Sequence, residues 1–263
     1  MNRGNQQRPS VPPPMNLKTR IVAAAAFPLL PLLYLQGRGV RRRTPRLPDA
    51  AGPAEGIVPG AGETLRLVVL GESTVAGIGA ATHRTALTGC IAAALSRETG
   101  RAVRWRAVGR SGASARQVAE LAATLPAEAV DAVALSLGVN DTLRFRQPAR
   151  WADDVAALIR TVRARVGPAP VLLAPVPPMH SFPALPQPLR TILGARARLL
   201  DAAQASLPSR LPAVAHVPMW VDPAPHLFCG DGFHPSEAGY AALGQRLARE
   251  LAALLHTPPG VDG

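Results

Sequence analysis

Two of the residues that catalysis by a serine nucleophile requires follow apolar runs of strand length. Ser73 comes after Leu67–Leu70 and Gly71, so a buried strand would present its hydroxyl at the end of a sheet. Asn140 comes after a second apolar run and Gly138. Its side-chain amide is of the kind that donates a hydrogen bond to an oxyanion. Read alone, Ser73 is more typical of a turn after a strand, and Asn140 is equally typical of an Asx turn that caps the next helix.

An acid and a histidine stand three residues apart near the C-terminus, at Asp231 and His234. Pro235 marks the first turn of a long amphipathic helix, so His234 lies on the loop just before that helix. An aspartate at this spacing can bend back to the imidazole, orient its tautomer and stabilise the imidazolium. The pair therefore predicts a general base with its supporting acid.

A loop of small residues, Arg110–Ser114, separates a predicted strand from a predicted helix. Gly112 in this loop allows close approach of a ligand to the backbone, and N–H groups at a helix start favour an anion. By itself the loop is weak evidence, because similar loops connect many strands to helices.

The chain from Leu65 onward alternates apolar runs of strand length with helical patterns, which is typical of a parallel sheet covered by helices. This order places the ends of the strands, and with them the candidate residues, at one edge of the sheet. Strands are predicted at 66–70, 103–108, 131–137, 170–174 and 213–217, and helices at 84–98, 114–123, 148–166, 188–206 and 236–255.

Together the four stretches resemble the four sequence blocks of the SGNH, or GDSL-like, hydrolase family. The matching segments are Gly71-Glu72-Ser73, Gly112 in its loop, Gly138-Val139-Asn140-Asp141 and Asp231-Gly232-Phe233-His234-Pro235. The resemblance covers residues 65–255. It implies a three-layer α/β/α sandwich with a flavodoxin-like sheet of five parallel strands, and hydrolysis of carboxylic esters through an acyl-enzyme with no metal or organic cofactor.

The resemblance also assigns roles to individual residues. It implies that Ser73 is the nucleophile, His234 the general base and Asp231 its orienting acid. The oxyanion hole would consist of the backbone N–H groups of Ser73 and Gly112 and the side chain of Asn140. One departure is Glu72, where the family usually has aspartate. The resemblance therefore does not fix the geometry of this loop, but the assignment of Ser73 as the nucleophile stands.

Other functions compete with a lipase-like acyl esterase. An acetyl-esterase or a transacylase acting on a glycan or envelope polymer would use the same residues. A catalytically inactive, membrane-tethered binding protein is the alternative of another class, and the presence of all five catalytic positions argues against it. Apolar residues in the proline-rich loop 175–188 favour an acyl or lipid-like ester substrate.

Charge and cysteine content exclude two further classes. The net charge is +12 over 263 residues, but residues 1–50 hold nine Arg/Lys and one acid, so the catalytic region is close to neutral. Without basic and aromatic residues interleaved, a nucleic-acid partner is not expected. Cys90 and Cys229 are far apart and form no metal-ligand cluster, so no zinc site is indicated.

The N-terminal region is predicted to be separate from the catalytic domain. We expect a disordered basic N-terminus at 1–20, an uncleaved membrane anchor at 21–37, an Arg/Pro/Gly-rich linker at 38–64 and a flexible tail at 256–263. A cleaved signal or a soluble helix are the alternatives for 21–37. The arginines after the apolar run favour a catalytic domain on the cytoplasmic face, with a secreted or extracytoplasmic domain as the alternative.

Overall fold

The structure is a computed structural model, and it describes residues 29–219 and 223–256. Its centre is a sheet in which six strands lie in the order β1-β3-β2-β4-β5-β6. Strand β1 runs antiparallel to β3, and the other neighbours are parallel. The strands are β1 (Glu55–Val58), β2 (Ala61–Gly71), β3 (Arg101–Gly109), β4 (Ala132–Ser136), β5 (Val171–Leu173) and β6 (Val214–His216).

Helices cover both faces of the sheet and enclose a hydrophobic core on each side. Helices α4, α6 and α7 pack on one face, and α3 and α8 pack on the other. This arrangement is a three-layer α/β/α sandwich. The helices are α1 (Leu30–Arg43), α2 (Ser73–Ala76), α3 (Leu87–Thr99), α4 (Ala115–Ala123), α5 (Val139–Leu143), α6 (Pro148–Val166), α7 (Leu189–Gln204) and α8 (Glu237–His256).

The predicted fold class is confirmed, with one addition to the sheet. The five predicted strands are β2 to β6, and the five predicted long helices are α3, α4, α6, α7 and α8. The predicted and observed boundaries agree because the periodic apolar residues are the ones buried between the sheet and the helices on its two faces. The edge strand β1 was not predicted, so the sheet has six strands, one of them antiparallel, where five parallel strands were expected.

The predicted linker over 38–64 is corrected by the structure. This range contains the end of α1, all of β1 and the start of β2. Residues just before β1 also pair with the loop after Ser73, because Ala50 N donates to Ala76 O at 3.0 Å and Ala51 N donates to Ala81 O at 3.1 Å. These backbone groups find partners around the end of β2, so the segment from residue 50 onward belongs to the folded domain.

The predicted membrane anchor at 21–37 falls only partly within the described residues. Residues 21–28 lie outside them, and the rest belongs to α1 or directly precedes it. Helix α1 is docked on the domain through Leu33, which is buried, and through Gln36, whose side chain donates to Gln187 O at 2.6 Å. Within residues 29–219 and 223–256, no helix combines the length and apolar character required to cross a bilayer.

The topology explains why the candidate residues meet. The chain leaves β2 for β3 on one side and later enters β4 on the other, so the end of β2 is the switch point of the sheet, where open α/β sheets bind ligands. Gly71, the last residue of β2, lies so close to β4 that a Cβ atom would overlap the carbonyl oxygen of Ser136. The residue that follows this strand is thereby held tightly against the neighbouring strand end.

Candidate active site

Ser73 opens α2, a single helical turn that begins two residues after β2 ends. The turn ends at Gly77, whose φ of +80° is in the left-handed region that favours glycine. Thr74, Val75 and Ala76 are buried, whereas Ser73 is only half-buried. The sharp strand-to-helix transition therefore leaves the serine at the carboxyl edge of the sheet, as the sequence predicts.

Glu72 is buried beside this serine and binds the start of α5. Its carboxylate accepts hydrogen bonds from Val139 N at 2.9 Å, from Asn140 N at 3.2 Å and from the side-chain amide of Asn140. Burial raises the pKa of Glu72 to about 7, against the lowering effect of these hydrogen bonds. Glu72 thus orients the amide of Asn140, and one amide hydrogen is left for another acceptor.

The loop that carries Gly112 is fastened to the same short helix at two points. Asp141 is buried and accepts a hydrogen bond from Ala115 N at 2.9 Å. Arg144 donates from Nη2 to Gly112 O at 3.0 Å. Burial raises the pKa of Asp141, while the bond from Ala115 opposes that rise. As a result, Gly112 and Asn140 flank the end of β2 from β3 and β4 respectively.

Asp231 and His234 form the pair that their spacing predicts. His234 Nδ1 lies 2.7 Å from Asp231 Oδ2, and the Asp231 side chain is fully buried while 19% of the His234 side chain is exposed. The other carboxylate oxygen, Oδ1, accepts from the backbone N–H groups of Phe233 at 2.8 Å and His234 at 2.9 Å. With Nδ1 held by the carboxylate, Nε2 is the ring nitrogen that remains for substrate chemistry.

A cysteine supplies a further donor to this carboxylate. Cys229 Sγ lies 3.0 Å from Asp231 Oδ1. Burial alone would raise the pKa of Asp231, but the hydrogen bonds from the His234 ring, from Cys229 and from the two backbone N–H groups outweigh it and lower the pKa. Asp231 is therefore an anion that can stabilise a positive imidazole. Burial raises the pKa of the Cys229 thiol to about 11, so this thiol stays protonated and keeps its donor.

The serine loop and the histidine loop are in direct contact. Gly79 has a φ of +92°, and a Cβ atom there would lie 2.5 Å from Pro235 O and 3.2 Å from Cys229 Sγ. Tyr240, on the first turns of α8, donates from its hydroxyl to Ile78 O at 2.6 Å. Two loops that are distant in sequence are therefore fixed against each other at the carboxyl edge of the sheet.

All five predicted site residues lie at this edge, but sequence reasoning missed several residues that hold them. Ser73, Gly112 and Asn140 follow β2, β3 and β4, and the loop of Asp231 and His234 contacts the loop after Ser73. The supporting residues that were missed are Cys229, Tyr240 and Arg144. Cys229 lies two residues before Asp231, and Arg144 lies four residues after Asn140. The signal in the sequence that could have identified them is their closeness to the two sequence blocks that contain Asp231 and Asn140.

The loop 175–188 is less open to substrate than predicted. Met179, Phe182 and Leu185, together with Leu189 just after it, are buried in the core on the α7 side of the sheet. The ring of Phe182 packs edge-on against Phe233 at 5.0 Å between centroids, next to His234. Phe182 therefore supports the histidine loop, and because all four side chains are buried in the core, they are not exposed to bind an acyl chain.

Comparison with known proteins finds relatives by sequence. The model of the GDSL-like lipase/acylhydrolase family matches residues 69–242. The GDSL-like esterase Rv1075c of Mycobacterium tuberculosis (strain ATCC 25618 / H37Rv) is 27% identical over 265 residues, covering 88% of this chain and 82% of that protein.

Solved structures share the fold. TesA superposes with a TM-score of 0.55 at 25% identity, covering 72% of this chain and 99% of that one. Est24, a carbohydrate acetylesterase from Sinorhizobium meliloti, superposes with a TM-score of 0.54 at 19% identity, covering 72% and 99%. Since the family model spans more than half of the chain and includes all five candidate positions, the protein belongs to the GDSL-like lipase/acylhydrolase family and is a carboxylic ester hydrolase.

Proposed function

We propose that the protein hydrolyses carboxylic esters with Ser73 as nucleophile, His234 as general base and Asp231 as the acid that orients it. The oxyanion hole in this proposal consists of the backbone N–H groups of Ser73 and Gly112 and the side-chain amide of Asn140. The observation that carries the proposal is the hydrogen bond between the half-buried His234 and the buried Asp231, whose loop packs against the loop that follows Ser73.

The reaction proceeds in two halves. His234 Nε2 accepts the hydroxyl proton as Ser73 Oγ bonds to the ester carbonyl carbon, and the carbonyl oxygen takes the negative charge. The three donors stabilise that charge, and Asp231 stabilises the imidazolium. Collapse of the tetrahedral intermediate breaks the bond to the alkoxy oxygen, which takes the proton from His234. Water, deprotonated by His234, then attacks the acyl carbon; the bond to Ser73 Oγ breaks, the acid is released, and Oγ takes the proton back from His234.

Substitution of the nucleophile tests the assignment. Ser73→Ala is expected to lower kcat on a p-nitrophenyl ester by several orders of magnitude while circular dichroism and the melting temperature stay unchanged, since only the attacking atom is lost. Turnover close to the wild-type value would contradict the proposal.

The oxyanion donor gives a second test. Asn140→Ala is expected to lower kcat by about 10²–10³-fold, the usual effect of losing one such donor. If KM rose while kcat stayed constant, Asn140 would be a turn residue with no part in charge stabilisation.

Esters of short acyl chains are the proposed substrates. This follows because the apolar side chains of the loop 175–188 are already packed in the core. Turnover of p-nitrophenyl acetate and butyrate is therefore expected to exceed that of the palmitate ester, and the reverse order would favour a lipase. Est24, described as a carbohydrate acetylesterase, makes acetylated glycans or envelope polymers the second candidate class, to be tested by acetate release.

The proposal includes a membrane contact through the N-terminal segment. Its support is that Leu32, Tyr34 and Leu35 on α1 are exposed, and that arginines follow them at the end of the helix. Sedimentation of the full-length protein with membranes tests the contact, and recovery in the soluble fraction would contradict it. Protease added to spheroplasts distinguishes the cytoplasmic face from an extracytoplasmic one.

A further inference from the structure

Two arginines and an exposed aromatic ring lie at the end of the short helix that holds Asn140, and they have no part in the reaction above. Arg144 follows the short helix α5, and Phe145 comes directly after it. The guanidinium carbon of Arg196, on α7, lies 4.6 Å from the centroid of the Phe145 ring. We call Arg144, Phe145 and Arg196 the arginine rim.

Arg144 combines a fixed position with free hydrogen-bonding capacity. Its Nη2 donates to Gly112 O, at the residue whose N–H is proposed to bind the oxyanion. The side chain is nevertheless exposed, and among the described residues no carboxylate lies within salt-bridge distance of it. A guanidinium has five N–H donors, so most of them remain for a ligand beside the proposed oxyanion hole.

Arg196 is a half-buried cation without an acidic partner in the described part of the chain. Its Nη2 donates to Arg146 O at 2.9 Å, whereas its Nε is buried and makes no hydrogen bond there. Burial lowers the pKa of this guanidinium. Burying a cation without a counter-ion is costly, so such an arrangement is typical of a site that receives its anion from a ligand.

The carboxylates near the arginine rim are already committed to other groups. Asp154 binds Arg146 in a close ion pair and lies 3.8 Å from Arg116. Asp141 is buried and accepts from Ala115 N. The charge of Arg144 lowers the pKa of Asp141 and is thus partly offset by that carboxylate, whereas Arg196 has no carboxylate partner among the described residues.

Phe145 is held in a strained backbone conformation. Its φ is +54°, which is rare for a bulky side chain, and 52% of the residue is exposed. Hydrogen bonds on either side fix the turn, from Phe145 N to Thr142 O at 3.1 Å and from Arg146 N to Asp141 O at 2.9 Å. Strain of this kind persists where the surrounding structure enforces it, often at ligand sites.

We propose that the arginine rim binds an anionic group of the substrate, so that the natural ester carries a carboxylate or a similar anion close to its scissile bond. Arg144 would bind this group through paired, charge-assisted hydrogen bonds, and Phe145 would contact the adjoining carbon atoms. Arg196 adds a second positive charge. The inference rests on the proposed esterase function, and it names the class of ester.

Matched esters test the inference on the acyl side. The p-nitrophenyl monoester of glutaric acid and p-nitrophenyl valerate differ only in a terminal carboxylate against a methyl group. The wild-type protein is expected to have the higher kcat/KM for the glutarate ester, measured above its non-enzymatic hydrolysis. Arg144→Gln is expected to lower the ratio of the two kcat/KM values at least tenfold, chiefly through KM for the charged ester.

The ratio separates recognition from damage to the oxyanion hole, because a displaced Gly112 would slow both esters alike. Arg144→Lys keeps the charge and is expected to retain part of the preference. Arg160 is an exposed arginine on α6, so Arg160→Gln removes the same charge elsewhere and is expected to leave the ratio unchanged.

A second pair of esters, 4-acetoxybenzoate and 4-acetoxybenzamide, carries the charge on the alcohol side. The pair whose preference is lost in Arg144→Gln shows whether the rim binds an anion on the acyl side or on the alcohol side.

Three results would overturn the inference. These are the absence of a preference for the charged ester in both pairs, an unchanged ratio in Arg144→Gln, and an equal loss in Arg160→Gln. If no ester were hydrolysed at all, the proposed function would fail first. The rim is then tested by calorimetric binding of glutarate to full-length Ser73→Ala, with and without Arg144→Gln, where at least tenfold weaker binding supports the rim and equal binding overturns it.

Discussion

At the scale of single residues, Glu72 shows how one side chain links the position of a donor to solution pH. Its ionised carboxylate accepts three hydrogen bonds from Val139 and Asn140, while burial favours the protonated form that accepts fewer. The position of Asn140 is therefore best defined when Glu72 is charged. Activity should fall at low pH for two reasons, since the imidazole of His234 must also be neutral to act as a base.

We predict that Glu72→Gln changes the pH dependence of stability. The pKa of Glu72 rises from 4.5 to about 7 on folding, so the folded state holds this proton more tightly and loses stability as the pH rises from 4.5 through 7. The loss is on the order of 3 kcal/mol for a shift of this size. The free energy of unfolding is measured with denaturant for the wild-type protein and for Glu72→Gln between pH 4.5 and pH 7. The difference between the two free energies should change by about 3 kcal/mol over this range.

A constant difference between the two proteins would mean that Glu72 titrates normally. Glu72→Asp serves as the control for kinetics, because it keeps a carboxylate. At low pH, the wild-type log(kcat/KM) should rise with pH at a slope greater than one, which is the largest slope that loss of a single proton can give. In Glu72→Gln the profile should become a one-proton curve at a lower kcat.

At the scale of secondary structure elements, the active site depends on a close contact between two loops. Gly79 from the serine loop lies against Pro235 and Cys229, and Tyr240 of α8 binds Ile78 O. A larger residue at position 79 would place its Cβ too close to Pro235 O and Cys229 Sγ, so one of the two loops would have to move. The relative position of Ser73 and His234 is thus fixed by backbone packing between α2 and the start of α8.

We predict that Gly79→Ala lowers kcat by about 10–100-fold, because a small displacement of the nucleophile from its base is costly. Gly100→Ala is the matched control, since Gly100 also has a positive φ, +70°, but a Cβ there would meet no atom within 4 Å. Both variants should lose about 1–2 kcal/mol of stability through the left-handed backbone, and Gly79→Ala should lose more because its Cβ would overlap Pro235 O. Equal kcat values in the two folded variants would show that the loop contact does not position the site.

The elements that were predictable from sequence are those whose burial repeats at short range. Strands β2 to β6 and the long helices have periodic apolar residues, and Ser73 and Asn140 follow directly from where those strands end. Strand β1 has only four residues between two prolines, and its pairing with β3 depends on residues far along the chain. The guanidinium of Arg144 binds Gly112 O, 32 residues away, and short-range patterns do not encode such a contact.

At the scale of the whole molecule, the catalytic domain includes residues that precede its first long strand. Strand β1 covers the edge of β3, and Ala50 and Ala51 hydrogen-bond to the segment after Ser73. His83 N also donates to Ala51 O at 3.2 Å. These contacts join the segment before β2 to the edge of the sheet and to the loop that follows α2.

We predict different outcomes for two shortened chains. A chain that begins at Asp49 keeps these contacts and should retain the wild-type kcat and remain folded. A chain that begins at Gly62 loses β1 and the three backbone hydrogen bonds, at about 0.5–1.5 kcal/mol for each bond, and exposes β3 as an open edge. Its melting temperature and kcat should both fall, and unchanged values would show that β1 is dispensable.

The bond from Tyr240 to Ile78 joins residues 162 positions apart, and Asp231 and His234 also lie in the last part of the chain. During synthesis on the ribosome, Ser73 emerges long before His234 and before the helix that fastens the two loops together. With the proposed roles, the nascent chain carries a nucleophile without its base until α8 has left the exit tunnel. We therefore expect a product of premature termination before His234 to be inert toward the esters around it.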